Sequence, residues 1–256
     1  MYPRVYDQNR LDQYATGSAS SADSLLYKLF DNRPESYWES VGETDEDGDY
    51  STEVQLYIKD RDGNTVGFEV DIFALFGMNL KDFKVWWFDG TNWNNPALWQ
   101  ITGNTDENKV MPDLGTFTAY GIRVEMDKTI VSNEEKKISE LYVGKYRFEI
   151  TSTLARQIGV NTRQQKKETV MADGGLEVWQ VRNSRRLEFT QRFRNVPQAV
   201  RDNLEDLVAT EQMVAYRPDG DIYPKWLITG LFSGPWREAY NHKIGLYDIS
   251  IRFRGK

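Results

Sequence analysis

The chain has 256 residues, room for two ordinary domains or one large β domain, and its 39% hydrophobic and 28% charged content excludes a disordered chain. With no cysteine and one histidine, disulfides, zinc-thiolate sites and cysteine catalysis are excluded, and histidine chemistry falls to His242 alone. A net charge of −7 argues against a general nucleic-acid binder; no apolar run is long enough for a membrane-spanning helix; and the polar opening MYPRVYDQNRLDQY has no secretory core.

In chain order, TGSASSADS (16–24) is small and polar and reads as a loop or extended lead-in. TEVQLYIKD (52–60) and NTVGFEVDIF (64–73) flank Asp62-Gly63, which predicts a hairpin. DFKVWWF (82–88) runs into Asp89-Gly90 and then Trp93, a second hairpin. YGIRVEMD (120–127) alternates, with Tyr120, Ile122, Val124 and Met126 on one side and Arg123, Glu125 and Asp127 on the other, as in a half-buried antiparallel strand. KYRFEI (145–150) repeats the pattern with Tyr146, Phe148 and Ile150 inward. LEVWQVR (176–182) and RRLEFTQRF (185–193) are expected to pair around Asn183-Ser184. Val200, Leu204, Leu207 and Val208 recur at helical spacing, with Asn195 and Pro197 as start signals and an end near Met213. WLITGLFS (226–233) and GLYDISIRF (245–253) are strands, the last with Tyr247, Ile249, Ile251 and Phe253 inward and Asp248, Ser250, Arg252 and Arg254 outward.

Charge divides the chain. Residues 1–150 carry 27 acidic and 15 basic residues, and residues 151–256 carry 12 and 17. That shift predicts a boundary, drawn as 1–147 and 148–256. The fold class expected is mainly β: a sandwich followed by a smaller α+β unit of order β-β-α-β-β.

Candidate sites are few. DEDGD (45–49) and DRDGN (60–64) fail the EF-hand pattern, because an acidic loop of that kind needs Gly at its sixth position and Tyr50 and Thr65 stand there. GLFSG (230–234) is not a nucleophile elbow, since Ser233 falls one place late. His242 reads as a surface residue, and no catalytic constellation points to an enzyme. Trp87, Trp93 and Trp99 are the candidates for an aromatic platform stacking on sugar rings, with a core or an interface as the alternative. Arg185, Arg186, Arg192, Arg194, Arg252 and Arg254 are candidates for an assembly interface with acidic partners.

Residues 15–42, ATGSASSADSLLYKLFDNRPESYWESVG, resemble the opening of discoidin-type domains, through Leu29, Asp31, Asn32, Tyr37 and Trp38. DFKVWWFDGTNW (82–93), WQITGNTDENK (99–109), FTAYGIRVEM (117–126) and KISELYVG (137–144) are similar to that family's later strands, in order. The resemblance implies a jelly-roll sandwich with Trp38 plugging its core, loops at one end that take glycans or lipid headgroups, and a structural calcium near Asp31 and Glu140. Asn32 replaces the family glycine after the Asp. The second half is similar to the tail-tube-like fold of bacteriophage distal tail and baseplate proteins, through GGLEVWQVRNSRRLEFTQRF, the helix, and KIGLYDISIRFRGK. Together these imply a virion structural protein made in the host cytoplasm. It would assemble with itself as a ring and with other tail proteins, without nucleic acid or membrane insertion. The alternative is a carbohydrate-binding module contacting host glycans.

Overall fold

The alternating segment at 120–127 becomes the long central strand Gly121–Thr129, flanked on either side by Thr52–Tyr57 and Leu80–Phe88. The computed structural model describes residues 2–11, 15–31, 36–42, 51–151, 153–154, 159–170, 176–217 and 227–255, with backbone alone at 153–154, 159–170, 176–189, 229, 235 and 255. Contacts divide the chain into two compact units, Tyr6–Tyr146 with Pro224–Leu227, and Met1–Val5 with Arg147–Tyr223 and Ile228–Lys256.

The first unit is a β-sandwich. One sheet has the strand order Thr16–Ala19, Thr52–Tyr57, Gly121–Thr129, Leu80–Phe88, Trp99–Ile101. Opposing it are a three-stranded sheet, Glu140–Gly144, Ile72–Phe76, Lys109–Met111, and the pair Phe68–Val70 with Phe117–Ala119. Period-two burial drives the packing. Val54, Leu56, Phe83, Val85, Ile122, Val124 and Met126 from the larger sheet meet Val70, Phe73, Leu75, Leu141 and Val143 in one core. Trp38 is fully buried in it, as its position predicts, and its indole N–H donates to the Ala22 carbonyl at 3.3 Å.

The hairpin expected around Asp62-Gly63 is confined to its turn. Lys59 bridges to Thr65 and the Val66 amide donates to the Ile58 carbonyl at 3.0 Å. Beyond it the chain crosses to the other sheet, because Ile72, Phe73, Ala74 and Leu75 are all buried and need apolar cover on both faces. The Asp89-Gly90 hairpin forms as expected, with Phe88 bridged to Trp93 and Gly90 at φ 100°.

The second unit is an antiparallel sheet carrying one helix. Its strand order is Tyr146–Glu149, Arg4–Tyr6, Met213–Arg217, Ile228–Asn241, Leu246–Gly255, Leu176–Val196, Thr153–Leu154, with Gly159–Val170 also paired to Leu176–Val196. The helix Gln198–Ala209 starts after Pro197 and presses Leu204 and Leu207 onto Phe193, Phe232, Ile249, Ile251 and Phe253. Two expectations change here. Residues 176–193 do not fold back at Asn183-Ser184; they form one strand, and a register jump opposite Gln164 and Lys166 absorbs residues 181–184. Tyr146 is exposed rather than inward, its ring edge-on to Tyr6 at 6.1 Å.

Candidate functional site

Three adjacent strands of the sandwich end together. Gly121 pairs with Tyr57 on one side and Phe88 on the other. Having no side chain, it leaves the space above the middle strand open. A Cβ there would lie 3.1 Å from Tyr57 Cδ1 and 2.8 Å from the Leu56 carbonyl oxygen. The Tyr57 and Phe88 rings therefore meet across it, edge to face, with centroids 5.8 Å apart. Trp93, delivered by the hairpin, tilts onto both, at 5.4 Å from Phe88 and 6.0 Å from Tyr57.

Tyr120, one residue earlier, fits between two other glycines. A Cβ on Gly67 would fall 2.7 Å from its Cζ, and one on Gly90 would fall 3.2 Å from its Cε2. The result is an open cleft of about 430 Å³ lined by Tyr57, Thr65, Phe88, Asp89, Gly90, Thr91 and Tyr120. Its rim is polar. Asp89 Oδ1 accepts the Thr91 and Asn92 amides, each at 2.7 Å. The Asn92 amide, then that of Thr91, holds the Asp89 carboxyl below its ordinary range. The Lys59 ammonium donates to Thr65 Oγ1 at 2.6 Å. Asp60 closes its turn by accepting the Asn64 side chain and the amides of Asn64 and Asp62, and its carboxyl is likewise lowered, first by the Asn64 side chain.

Arg123 backs this wall. Its guanidinium lies 4.7 Å from the Trp86 ring centroid and 4.9 Å from that of Trp93. Glu53 is its ion-pair partner at 3.7 Å, and its Nε is buried with no hydrogen-bond partner among the described residues. Further down the same face, Lys84 pairs with Glu125 at 2.7 Å and Asp127 at 3.6 Å, and the Glu125 hydrogen bond raises the Lys84 pKa.

The three predicted tryptophans separate. Trp93 does not line the cleft but packs on Tyr57 and Phe88, two of the rings that do. Trp87 and Trp99 lie in strands with their rings against the core, the alternative the sequence left open: Trp87 at 4.7 Å from Phe117, Trp99 edge-on to Phe83 at 5.7 Å and Phe73 at 6.3 Å. The reason is the pleat, which puts Phe83, Val85 and Trp87 on one face. Tyr57, Phe88, Tyr120 and Gly121 were not singled out in the sequence. A signal existed, since Tyr-Gly at 120–121 opens the most regular strand and glycines sit at both turns opposite it.

Asp31 and Glu140 are both described, and among the described residues no three His, Asp or Glu side chains converge. Calcium takes six to eight oxygens, so these two carboxylates would supply only part of its set, with backbone carbonyls for the rest. Asn32 and DEDGD (45–49) lie outside the described residues. Arg192, Arg194 and Arg254 are exposed and Arg252 half-buried, on the sheet face opposite Phe193, Ile251 and Phe253. The side chains of Arg185 and Arg186 lie outside the described residues. His242 is exposed, as expected, edge-on to Tyr240 at 4.7 Å.

No family model and no curated relative matches the chain. Several solved structures are similar to about half of it. A chitosan-binding module from a Paenibacillus chitosanase/glucanase is 14% identical, covering 53% of this chain and 98% of that one, with a TM-score of 0.43. A family 32 carbohydrate-binding module of Clostridium perfringens in complex with galactose is 12% identical over 56% of this chain and 99% of its own, with a TM-score of 0.43. Another from the same organism, in complex with GalNAc-β-1,3-galactose, is 13% identical over 53% and 99%, with a TM-score of 0.41.

Proposed function

We propose that the sandwich is a carbohydrate-binding module that takes a sugar ring in the cleft at the Tyr57–Phe88–Tyr120 end. The observation that carries this is the cleft's composition: three aromatic rings for walls and the Thr65, Asp89 and Thr91 side chains at the rim. A pyranose has apolar C–H faces and a girdle of hydroxyls. Aromatic walls match the faces, and a few convergent polar groups fix orientation. Asp89 is held ionised by its own turn, so it accepts from sugar hydroxyls without first losing a proton. Gly121 and Gly90 leave room for the cleft's rings, and Trp93, with Arg123 over its face, packs on Tyr57 and Phe88.

The reading needs no catalytic group, and none of the structures named above is a phage tail or baseplate protein. The test is calorimetric titration of the full chain with galactose, GalNAc-β-1,3-galactose and chitotriose, after a glycan array. Saturable binding lost in Trp93→Ala is the expected result. An array with no signal, and flat titrations at millimolar sugar, would remove the reading.

A further inference from the structure

The cleft at the end of the sandwich carries a charge of one sign. Of the residues that line it, Asp89 alone is ionised at neutral pH. Asp89 is exposed, and its Oδ1 accepts the amides of Thr91 and Asn92 at 2.7 Å each, which holds the carboxylate in one orientation on the rim. The groups that act on it are backbone amides, with no basic side chain among them. Its charge is therefore presented whole to whatever enters the cleft.

The cations of the neighbourhood are engaged elsewhere. Lys59 donates to Thr65 Oγ1 at 2.6 Å, and Lys59 and Arg61 share their turn with Asp60 and Asp62, so that the charges of the turn cancel. Arg123 lies against the Trp86 and Trp93 rings, at 4.7 Å and 4.9 Å, with Glu53 at 3.7 Å. The surrounding field has the sign of Asp89, since residues 1–150 carry 27 acidic and 15 basic residues. The walls add to it, because the face of an aromatic ring is electrostatically negative and repels an anion laid on it.

We propose that Asp89 is the specificity-determining residue of the cleft, favouring neutral sugars over those that carry a carboxylate or sulfate. This deepens the sugar reading and rests on it. A neutral pyranose meets Asp89 with a hydroxyl that donates to the carboxylate. An acidic form of the same sugar brings a second anion to a rim whose own charge is uncompensated. At about 4 Å in water that repulsion weakens binding about fivefold, and by more where the rings exclude water.

The experiment probes the full chain with a glycan array in which neutral glycans stand beside uronate and sulfated forms of the same glycans. The pair with the strongest signal is then titrated by calorimetry at pH 7. The expected result is that the neutral form binds and its acidic form binds about fivefold more weakly in low salt. In about 1 M salt, where the screening length falls to about 3 Å, the gap should close. Asp89→Asn removes the charge and keeps an oxygen for the Thr91 and Asn92 amides. It should close the gap as well, lowering affinity for the neutral sugar and raising it for the acidic one, a reversal that a merely structural role does not produce. Acidic forms bound as well as neutral ones, a gap indifferent to salt, or a gap unchanged in Asp89→Asn overturns the proposal and leaves the cleft a sugar site. The salt series on the unaltered chain decides the matter even if the variant does not fold. Silence from every glycan removes the sugar reading, and this inference with it.

Discussion

Two arginines in this molecule each lie between two aromatic rings, and they do different work. Arg201, on the helix of the second unit, lies 5.8 Å from Trp236 and 5.7 Å from Tyr247. It is saturated by charge: Glu238 takes its Nε at 3.0 Å and Nη2 at 3.2 Å, Asp202 takes Nη1 at 3.1 Å, and Glu205 is bound as well. Trp236 also donates to Glu238 at 3.0 Å, and the Tyr247 hydroxyl donates to Gln198 at 2.7 Å. These bonds join the helix to two strands. Arg123, in the sandwich, has among the described residues a single looser ion-pair partner at 3.7 Å, and what it braces is the wall of an open cleft. A guanidinium whose donors are all spent fastens structure. One held mainly by indole faces fixes the rings and leaves the surface beside them free for a ligand.

The largest stability effect separating the two should come from Arg201→Met. It leaves Glu238 and its neighbours without their cation, and chemical denaturation should show a loss of about 1–2 kcal/mol, the upper end for a network of partly exposed pairs. Arg123→Met should cost less than about 1 kcal/mol, because its ion pair with Glu53 is long at 3.7 Å. Equal losses would erase the distinction. The pH dependence sharpens it. Glu238 has its carboxyl lowered, chiefly by the Arg201 hydrogen bond. A carboxyl lowered on folding adds stability that is full above its unfolded value near 4 and is lost as pH falls through the folded value. The gap between wild type and Arg201→Met should therefore shrink in acid, and a gap constant between pH 7 and pH 3 would show that Glu238 is not the partner that matters.

On the ligand side, Trp93→Ala should weaken sugar binding at least tenfold, about 1.4 kcal/mol, while Trp236→Ala leaves it unchanged; titration of both variants checks this. Asp89→Asn should weaken it a few-fold, with wild-type affinity flat from pH 5 to 8 because the lowered Asp89 carboxyl stays ionised throughout. A binding curve that falls between pH 7 and 5 would assign the rim contact to another group. The smallest effect is expected at His242, exposed against Tyr240. His242→Ala should change stability by less than about 0.5 kcal/mol and sugar binding not at all.

Elements whose pattern is local were legible. The alternation at 120–127 and 245–253, the helical spacing of Val200, Leu204, Leu207 and Val208, and the Asp89-Gly90 turn all carry their physics within a few residues, and the structure follows them. Elements that depend on a distant partner were not. Met213–Arg217 carries no strand reading beyond the helix end expected near Met213, yet Val214, Ala215 and Tyr216 are buried as a strand paired with Ile228–Asn241. Arg4–Tyr6 has three residues and forms only because Tyr146–Glu149 and Met213–Arg217 flank it. Asn9 looks like any polar residue near a terminus, but it is buried and binds the Leu141 carbonyl at 2.8 Å and the Val143 amide at 3.0 Å. Short strands and buried amides have little signal of their own, because pairings far along the chain satisfy them.

The sequence by itself determined the mainly β class, the aromatic supply and the opposite charge of the two halves, since composition and alternation follow directly from which side chains avoid water; Trp38 as a core plug came from the resemblance to discoidin-type domains. The tertiary structure alone decided which aromatics face solvent. Trp87 and Trp93 are six residues apart on one hairpin, and pleat and turn send the first toward the core and the second onto the Tyr57 and Phe88 rings. It also decided that Gly121 stands level with both Tyr57 and Phe88, so that residues 64 and 33 positions away meet over a glycine. Register between strands, unlike alternation within one, is fixed by the packing of the whole sheet.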